Sequence, residues 1–152
     1  MRKAEPADAR SISEVLSQAF AAYKPRYTAA GFSATTPAAA RILDRLHEGP
    51  VWIALDQDRI IGTVSVLLTG SQCYVRGMAI LPEAQGRGAG QLLLQTVEQF
   101  ARDAGATSLT LSTTLFLDRA IRLYERFGFR RSNDGPSDLF GTPLFTMAKD
   151  LR

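Results

Sequence analysis

The sequence has one cysteine in 152 residues. Cys73 has no partner for an internal disulfide, so a disulfide-stapled secreted domain is excluded and a reducing compartment is expected. There is also one histidine, His47, far from Cys73 in the chain. A thiol nucleophile with an adjacent imidazole is therefore not expected, nor is a metal site, and Cys73 reads as a core or strand-face residue. Long apolar runs are missing as well. The most apolar stretch, Ile60–Leu68, is nine residues interrupted by Gly62, Thr63 and Ser65, far short of the ~20 that span a bilayer. The opening Met1-Arg2-Lys3-Ala4-Glu5-Pro6 has charge but no apolar segment behind it, so it does not read as a secretory leader. Basic residues never run to five. The net charge of +3 and sequence pI of about 9.3 therefore describe a solvated surface with a mild bias toward anionic ligands, not a nucleic-acid patch. No repeat, low-complexity tract or linker interrupts the chain. A single cytoplasmic domain over residues 1–152 is expected, with no membrane or nucleic-acid partner and with room for a homodimer.

What is present is ordinary for a globular protein: 45% hydrophobic and 22% charged residues. A chain of this length buries roughly two thirds of its unfolded surface. Arg2-Lys3-Ala4 reads as a short strand, and Ala9, Ile12, Val15, Leu16, Ala19 and Phe20 as the apolar stripe of a helix near 6–22. Residues 23–33 read as an aromatic loop. Thr35-Thr36-Pro37 reads as a hydroxyl cap and Pro start for a second helix, ending near His47 before Gly49-Pro50. Strands follow at 51–55, 59–68 and 72–81, with Gly77 as a bulge or point of close approach. Then come a helix ending at Gly105, a strand at 107–112 and a helix from Leu117 or Asp118 closed by Gly128. Strands near 129–131 and 143–149 flank a polar loop. The fold class is α/β of the mixed α+β kind. A mostly antiparallel sheet should carry a central parallel β-α-β pair, with helices on both faces.

One stretch organises the rest. Met78-Ala79-Ile80-Leu81-Pro82-Glu83-Ala84-Gln85-Gly86-Arg87-Gly88-Ala89-Gly90-Gln91 is a strand end, a Pro-punctuated turn and a helix start with three glycines in five residues. The first N–H groups of a helix lack intrahelical partners, and the macrodipole adds positive charge there. Glycines let a ligand lie on the backbone itself. The turn is thus a site for a pyrophosphate-bearing cofactor. It is not a P-loop, which requires Lys followed by Ser or Thr. Nor is it a dinucleotide-binding turn, because the spacing is Gly86, Gly88, Gly90 and the turn lies mid-chain behind antiparallel strands.

Gln85-Gly86-Arg87-Gly88-Ala89-Gly90 resembles the pyrophosphate loop of the Gcn5-related N-acetyltransferase (GNAT) family. Downstream, Ala120-Ile121-Arg122-Leu123-Tyr124 with Gly128-Phe129 looks like that family's second signature, at the right separation and in the right element order. The resemblance implies the family's fold and acetyl-CoA as acyl donor, without a metal. It implies that residues 86–91 hold the pyrophosphate and that Met78, Ala79 and Ile80 lie along the pantetheine arm. There the strand splays from its parallel neighbour, leaving backbone groups free, and a backbone N–H polarises the acetyl carbonyl. Tyr124 would give its proton to the departing thiolate. The activity implied is transfer of an acetyl group to a primary amine of a small molecule or peptide; the alternative is a non-catalytic acyl-CoA-binding or sensing domain.

The pattern departs from the family in two places. Leu117 stands where many members carry a cofactor-contacting Asn, so that contact is either lost or taken over by Thr113, Thr114 or Asp118. The strand before the glycine turn, Gln72-Cys73-Tyr74-Val75-Arg76-Gly77, carries no carboxylate for a general base. Glu83, Glu48 and His47 read as structural or solvated, which leaves deprotonation to ordered water. Arg76 reads first as a surface ion pair, with an anionic part of the acceptor as its other use. The acceptor is expected across the first helices and the two loops, against Tyr23, Tyr27, Phe32, Trp52, Asp138 and Phe140.

Overall fold

A computed structural model describes all 152 residues. A short strand β1 (Arg2–Lys3) precedes three helices, α1 (Ala9–Phe20), α2 (Ala29–Thr35) and α3 (Ala39–Glu48). Three strands follow: β2 (Val51–Asp56), β3 (Arg59–Thr69) and β4 (Gln72–Ile80). Then come helix α4 (Ala89–Asp103), strand β5 (Ser108–Thr113) and helix α5 (Asp118–Phe127). The chain ends in β6 (Arg130–Ser132), a small hairpin of β7 (Asp138–Leu139) and β8 (Thr142–Pro143), and β9 (Phe145–Asp150). The main sheet has seven strands in the order β1-β2-β3-β4-β5-β9-β6. Only β4 and β5 run parallel; every other pair is antiparallel. The expected mixed sheet with one parallel pair is what forms.

Burial explains the layering. Ile61 to Val66 of β3 are all buried, which requires cover on both faces of the sheet. Helix α1 packs with α3 over β3 and β4, while α4 packs across β2 to β5 beside α5. The inward stripe of α4 is Leu93, Leu94, Val97 and Ala101, each with 0% exposure; its i, i+3/i+4 spacing is what places all four on one face. Gly105 (φ +78°) and Gly128 (φ +107°) end α4 and α5 in left-handed geometry. Each is followed by an N–H that reaches back five residues, Ala106 to Ala101 and Phe129 to Tyr124.

Two expectations fail locally. Thr35 and Thr36 do not cap α3. Their hydroxyls donate back to the carbonyls of Gly31 (3.0 Å) and Phe32 (2.8 Å) and so terminate α2, a helix inside the stretch expected as loop. α3 starts at Ala39 with no side-chain cap. Residues 132–142 are likewise not all loop, since β7 pairs with β8. Both segments are short, and what holds them is a contact far apart in sequence. Thr28 N–H donates to Thr142 Oγ1 (2.9 Å), and Thr28 Oγ1 donates to the Phe140 carbonyl (2.7 Å).

Candidate active site

The glycine turn folds as its composition dictates. Pro82–Ala84 makes one 3₁₀ turn, and the Gln85 amide donates to the Ile80 carbonyl (3.3 Å), closing strand end onto loop. Gly88 then caps α4 in left-handed geometry (φ +85°). The first intrahelical bond runs from Leu92 N–H to Gly88 C=O. The N–H groups of Ala89, Gly90 and Gln91 precede it and have no helical partner.

The strand behind the turn opens as expected. The β4–β5 register runs only through Gln72↔Ser108, Cys73↔Leu109 and Tyr74↔Thr110. Beyond Tyr74 the two strands part, and β4 keeps only its β3 partner. On that side Thr63 faces Ala79 and Ser65 faces Arg76, so β4 carries one extra residue at Gly77–Met78. Gly77 has φ +59°. This is the anticipated bulge, and it turns the β4 edge away from β5.

Into the gap opens a cleft of about 310 Å³. Its walls hold Met78, Ala79 and Ile80 from β4, Gln85, Gly86 and Gly88 from the turn, and Ala89, Gly90 and Gln91 from the start of α4. From α5 come Leu123 and Tyr124, with Phe20 and Tyr23 opposite. Of the residues expected along the cofactor, only Arg87 is absent from the walls. Its guanidinium is turned outward, 3.4 Å from Asp56 and 3.3 Å from the Glu83 carbonyl. The cleft also receives residues that sequence reasoning did not single out, notably Arg119 and Arg126 of α5. A Cβ on Gly86 would stand 3.2 Å from Arg119 Nη2, so this exposed guanidinium sits on the glycine turn. It makes no ion pair within the chain. The signal available in sequence was its place one residue before the second motif, on the first turn of α5. No acidic side chain lines the cleft.

Tyr124 is 8% exposed and packs edge-on against Phe129, ring centroids 5.8 Å apart. The Gly128 turn sets that contact, since it swings Phe129 back under the helix. Burial, with a smaller effect from Tyr27, pushes the Tyr124 phenol up to about 12. At neutral pH it therefore keeps its proton. Leu117 lines the cleft where a polar residue was wanted, Asp118 is exposed, and the buried Thr114 hydroxyl has no partner within the chain.

The carboxylates read as structural or solvated stand outside the cleft. Glu83 pairs with Arg59 at 2.7 Å on the surface, and Glu48 is held by Arg41 at 2.9 Å. The Glu48 carboxyl is pulled below the usual range chiefly by the Arg41 hydrogen bond, which makes it a poor base. His47 is exposed. Cys73 is fully buried, and burial pushes its thiol up to about 11. The aromatic side divides. Tyr23 and Tyr27 gather on Phe116 (6.0 and 4.9 Å), with Phe32 beside Tyr27. Phe140 is 67% exposed at the tip of the β7–β8 hairpin, and the Asp138 carboxylate accepts from the Gly141 N–H within that turn. Trp52 is not on this side. Strand alternation sends it to the other face, buried against Phe100 of α4 at 5.4 Å.

Comparison with known proteins agrees with this fold. The model of the acetyltransferase (GNAT) family matches residues 14–129. Rat N-acetyltransferase 8 is 31% identical over 94 residues, covering 58% of this chain and 42% of that protein. The uncharacterized N-acetyltransferase YjgM of Escherichia coli K12 is 39% identical over 83 residues, 51% of this chain and 49% of that one. The chain thus matches less than half the length of these curated relatives. A crystal structure of the paia N-acetyltransferase of Thermoplasma acidophilum in complex with coenzyme A superposes with TM-score 0.78 at 16% identity, over 98% of this chain and 96% of that one.

Proposed function

The chain belongs to the acetyltransferase (GNAT) family, and on that footing we propose that it moves the acetyl group of acetyl-CoA to a primary amine of a small molecule or peptide. The observation that carries this is convergence. A glycine-capped helix start, a strand edge freed by a bulge and a buried phenol from a third element share one cleft. The residues fit the donor. The unpartnered N–H groups of Ala89, Gly90 and Gln91 face the turn, and Arg119 adds a cation there. The freed β4 edge at Met78–Ile80 offers the N–H and C=O groups that an amide-bearing arm requires. When bound, acetyl-CoA supplies the activated acetyl group.

The chain's own residues do the rest. The backbone around Met78–Ala79 would supply an N–H to stabilise negative charge developing on the acetyl oxygen. Tyr124 holds a proton at its hydroxyl, which makes no hydrogen bond within the chain, and gives it to the departing sulfur. Tyr23 lines the cleft and is packed on Phe116, with Tyr27 and Phe32 behind it, and this favours an acceptor with an apolar body. No carboxylate lines the cleft, so the amine loses its proton to ordered water.

The test is acetyl-CoA turnover over a panel of amines, with Tyr124→Phe beside the wild type. Transfer is expected, and Tyr124→Phe should lower kcat by roughly 10²-fold or more while CoA affinity stays within about threefold. An unchanged kcat removes Tyr124 from the acid role. Tight CoA binding with no transfer to any amine supports the non-catalytic binding domain instead.

A further inference from the structure

We propose that Arg45 and Arg76 form an anion pocket beside the transfer position and select an acceptor amine that also carries a carboxylate. The inference rests on the acetyl-transfer reading above and narrows its acceptor. Arg76 lies on β4 immediately before the bulge; the expected ion pair forms, with Glu48, but the Arg76 side chain is only 17% exposed. Arg45 reaches it from α3. A Cβ on Gly77 would stand 2.7 Å from Arg45 Nη1 and 3.4 Å from Ser65 Oγ, so the absence of a side chain at 77 is what lets this guanidinium lie on the bulge.

The two cations are under-matched. Among the groups acting on Arg45, Arg76 and Arg41 are positive, Glu48 is the one carboxylate, and the Tyr74 phenol is the other acid. Glu48 is already engaged by Arg41 at 2.9 Å. The same Glu48 oxygen also forms an ion pair with Arg76 Nη2, at 3.3 Å, so one carboxylate serves two guanidiniums. Arg45 Nε, Arg76 Nε and Arg76 Nη2 are all buried without a hydrogen-bond partner. Burial, and then Arg76, bring the Arg45 guanidinium down to about 10. Buried donors on paired cations cost free energy unless an anion satisfies them. Guanidinium forks match a carboxylate in shape. Arg76 and Met78 are two residues apart across the bulge, at most roughly 7 Å by the reach of the chain, so a small amine anchored here by its carboxylate places its nitrogen near the β4 edge that lines the cleft.

The experiment compares acetyl transfer to a series of amino acids and to the matching amino amides, which keep the amine and lose the anion. Wild type should favour at least one acid over its amide by about tenfold or more in kcat/KM. Arg76→Gln should abolish the preference while leaving transfer to amides within about twofold, and Arg76→Lys should restore it only in part. Equal transfer to acids and amides, or a preference surviving in Arg76→Gln, overturns the proposal. Glu48→Gln gives an answer even if Arg76→Gln does not fold. Loss of the competing carboxylate should lower KM for the acid by about threefold, and an unchanged or higher KM overturns the pocket. If acetyl-CoA binds and no amine is acetylated, the transfer reading fails by itself. The pocket is then decided by the Nε–H resonances of Arg45 and Arg76 in CoA-loaded protein titrated with sodium propionate or with propionamide. Shifts with propionate alone support it, and no shift with propionate overturns it.

Discussion

Replacing Gly88 by alanine separates a cofactor cradle from a mere helix start. Gly88 sits at φ +85°, and a Cβ built there meets nothing within 4 Å. Alanine therefore fits sterically, and the cost is the left-handed backbone, about 1–2 kcal/mol for an L residue. Reduced freedom of the unfolded chain offsets roughly 0.4–1 kcal/mol of that. The net loss is about 1 kcal/mol, or a fall in melting temperature of roughly 2–4 °C for a chain of this size. The new methyl would stand at the cap, beside the free N–H groups of Ala89, Gly90 and Gln91, where the pyrophosphate is expected to lie. Losing one hydrogen bond to a charged group costs about 1.5–3 kcal/mol, so CoA affinity should fall roughly 10- to 100-fold. Gly105→Ala is the control. It has φ +78° and an equally empty Cβ position, at the other end of the same helix. Both variants should melt alike, and only Gly88→Ala should lose CoA, measured by isothermal titration. Equal CoA affinity in the two variants, with both destabilised, refutes the pyrophosphate cradle. Gly90 is a poorer probe, because a Cβ there would stand 2.7 Å from Leu123 Cδ2 and so mix packing with binding.

Arg119→Gln should weaken CoA binding about 3- to 10-fold and flatten its salt dependence, because an exposed cation acts on phosphate through screened attraction; unchanged affinity at low salt would dismiss it. Gly77→Ala should destabilise by about 2–3 kcal/mol, since it combines left-handed backbone with a 2.7 Å contact to Arg45; a melting temperature within 1–2 °C of wild type, on the usual scaling, would contradict the bulge. Tyr124 titrates at about 12 in the fold against 10 ordinarily. Folding thus favours the neutral phenol, and that stability is full below about pH 10 and is lost as pH rises toward about 12. Wild type should lose more stability than Tyr124→Phe across that window, as followed by melting; parallel losses would show the phenol to be unburied.

Much of the site was legible because its signals are local. A glycine-capped helix start needs only neighbours in sequence, so the turn at 86–90 and the Gly128 cap of α5 could be read directly. So could the bulge, since a glycine inside a strand marks one. The misreadings share a cause. Thr35 and Thr36 carry the same hydroxyls whether they begin one helix or end another, and α2 is decided by Thr28 meeting Thr142 across 114 residues. Trp52 was assigned to the wrong side because an apolar strand buried on both faces hides its alternation.

Sequence alone determined the glycine turn that we propose holds the donor: the strand, turn and helix are contiguous, and backbone N–H groups and φ values follow from residue type within a few positions. Tertiary structure decided what surrounds that turn, including the side proposed for the acceptor. It parted β4 from β5 after Tyr74, placed Arg119 on the glycine turn, and set Arg45 of α3 against Gly77 and beside Arg76. Those placements arise from packing between elements distant in the chain. No local propensity encodes which side chains meet across such a gap.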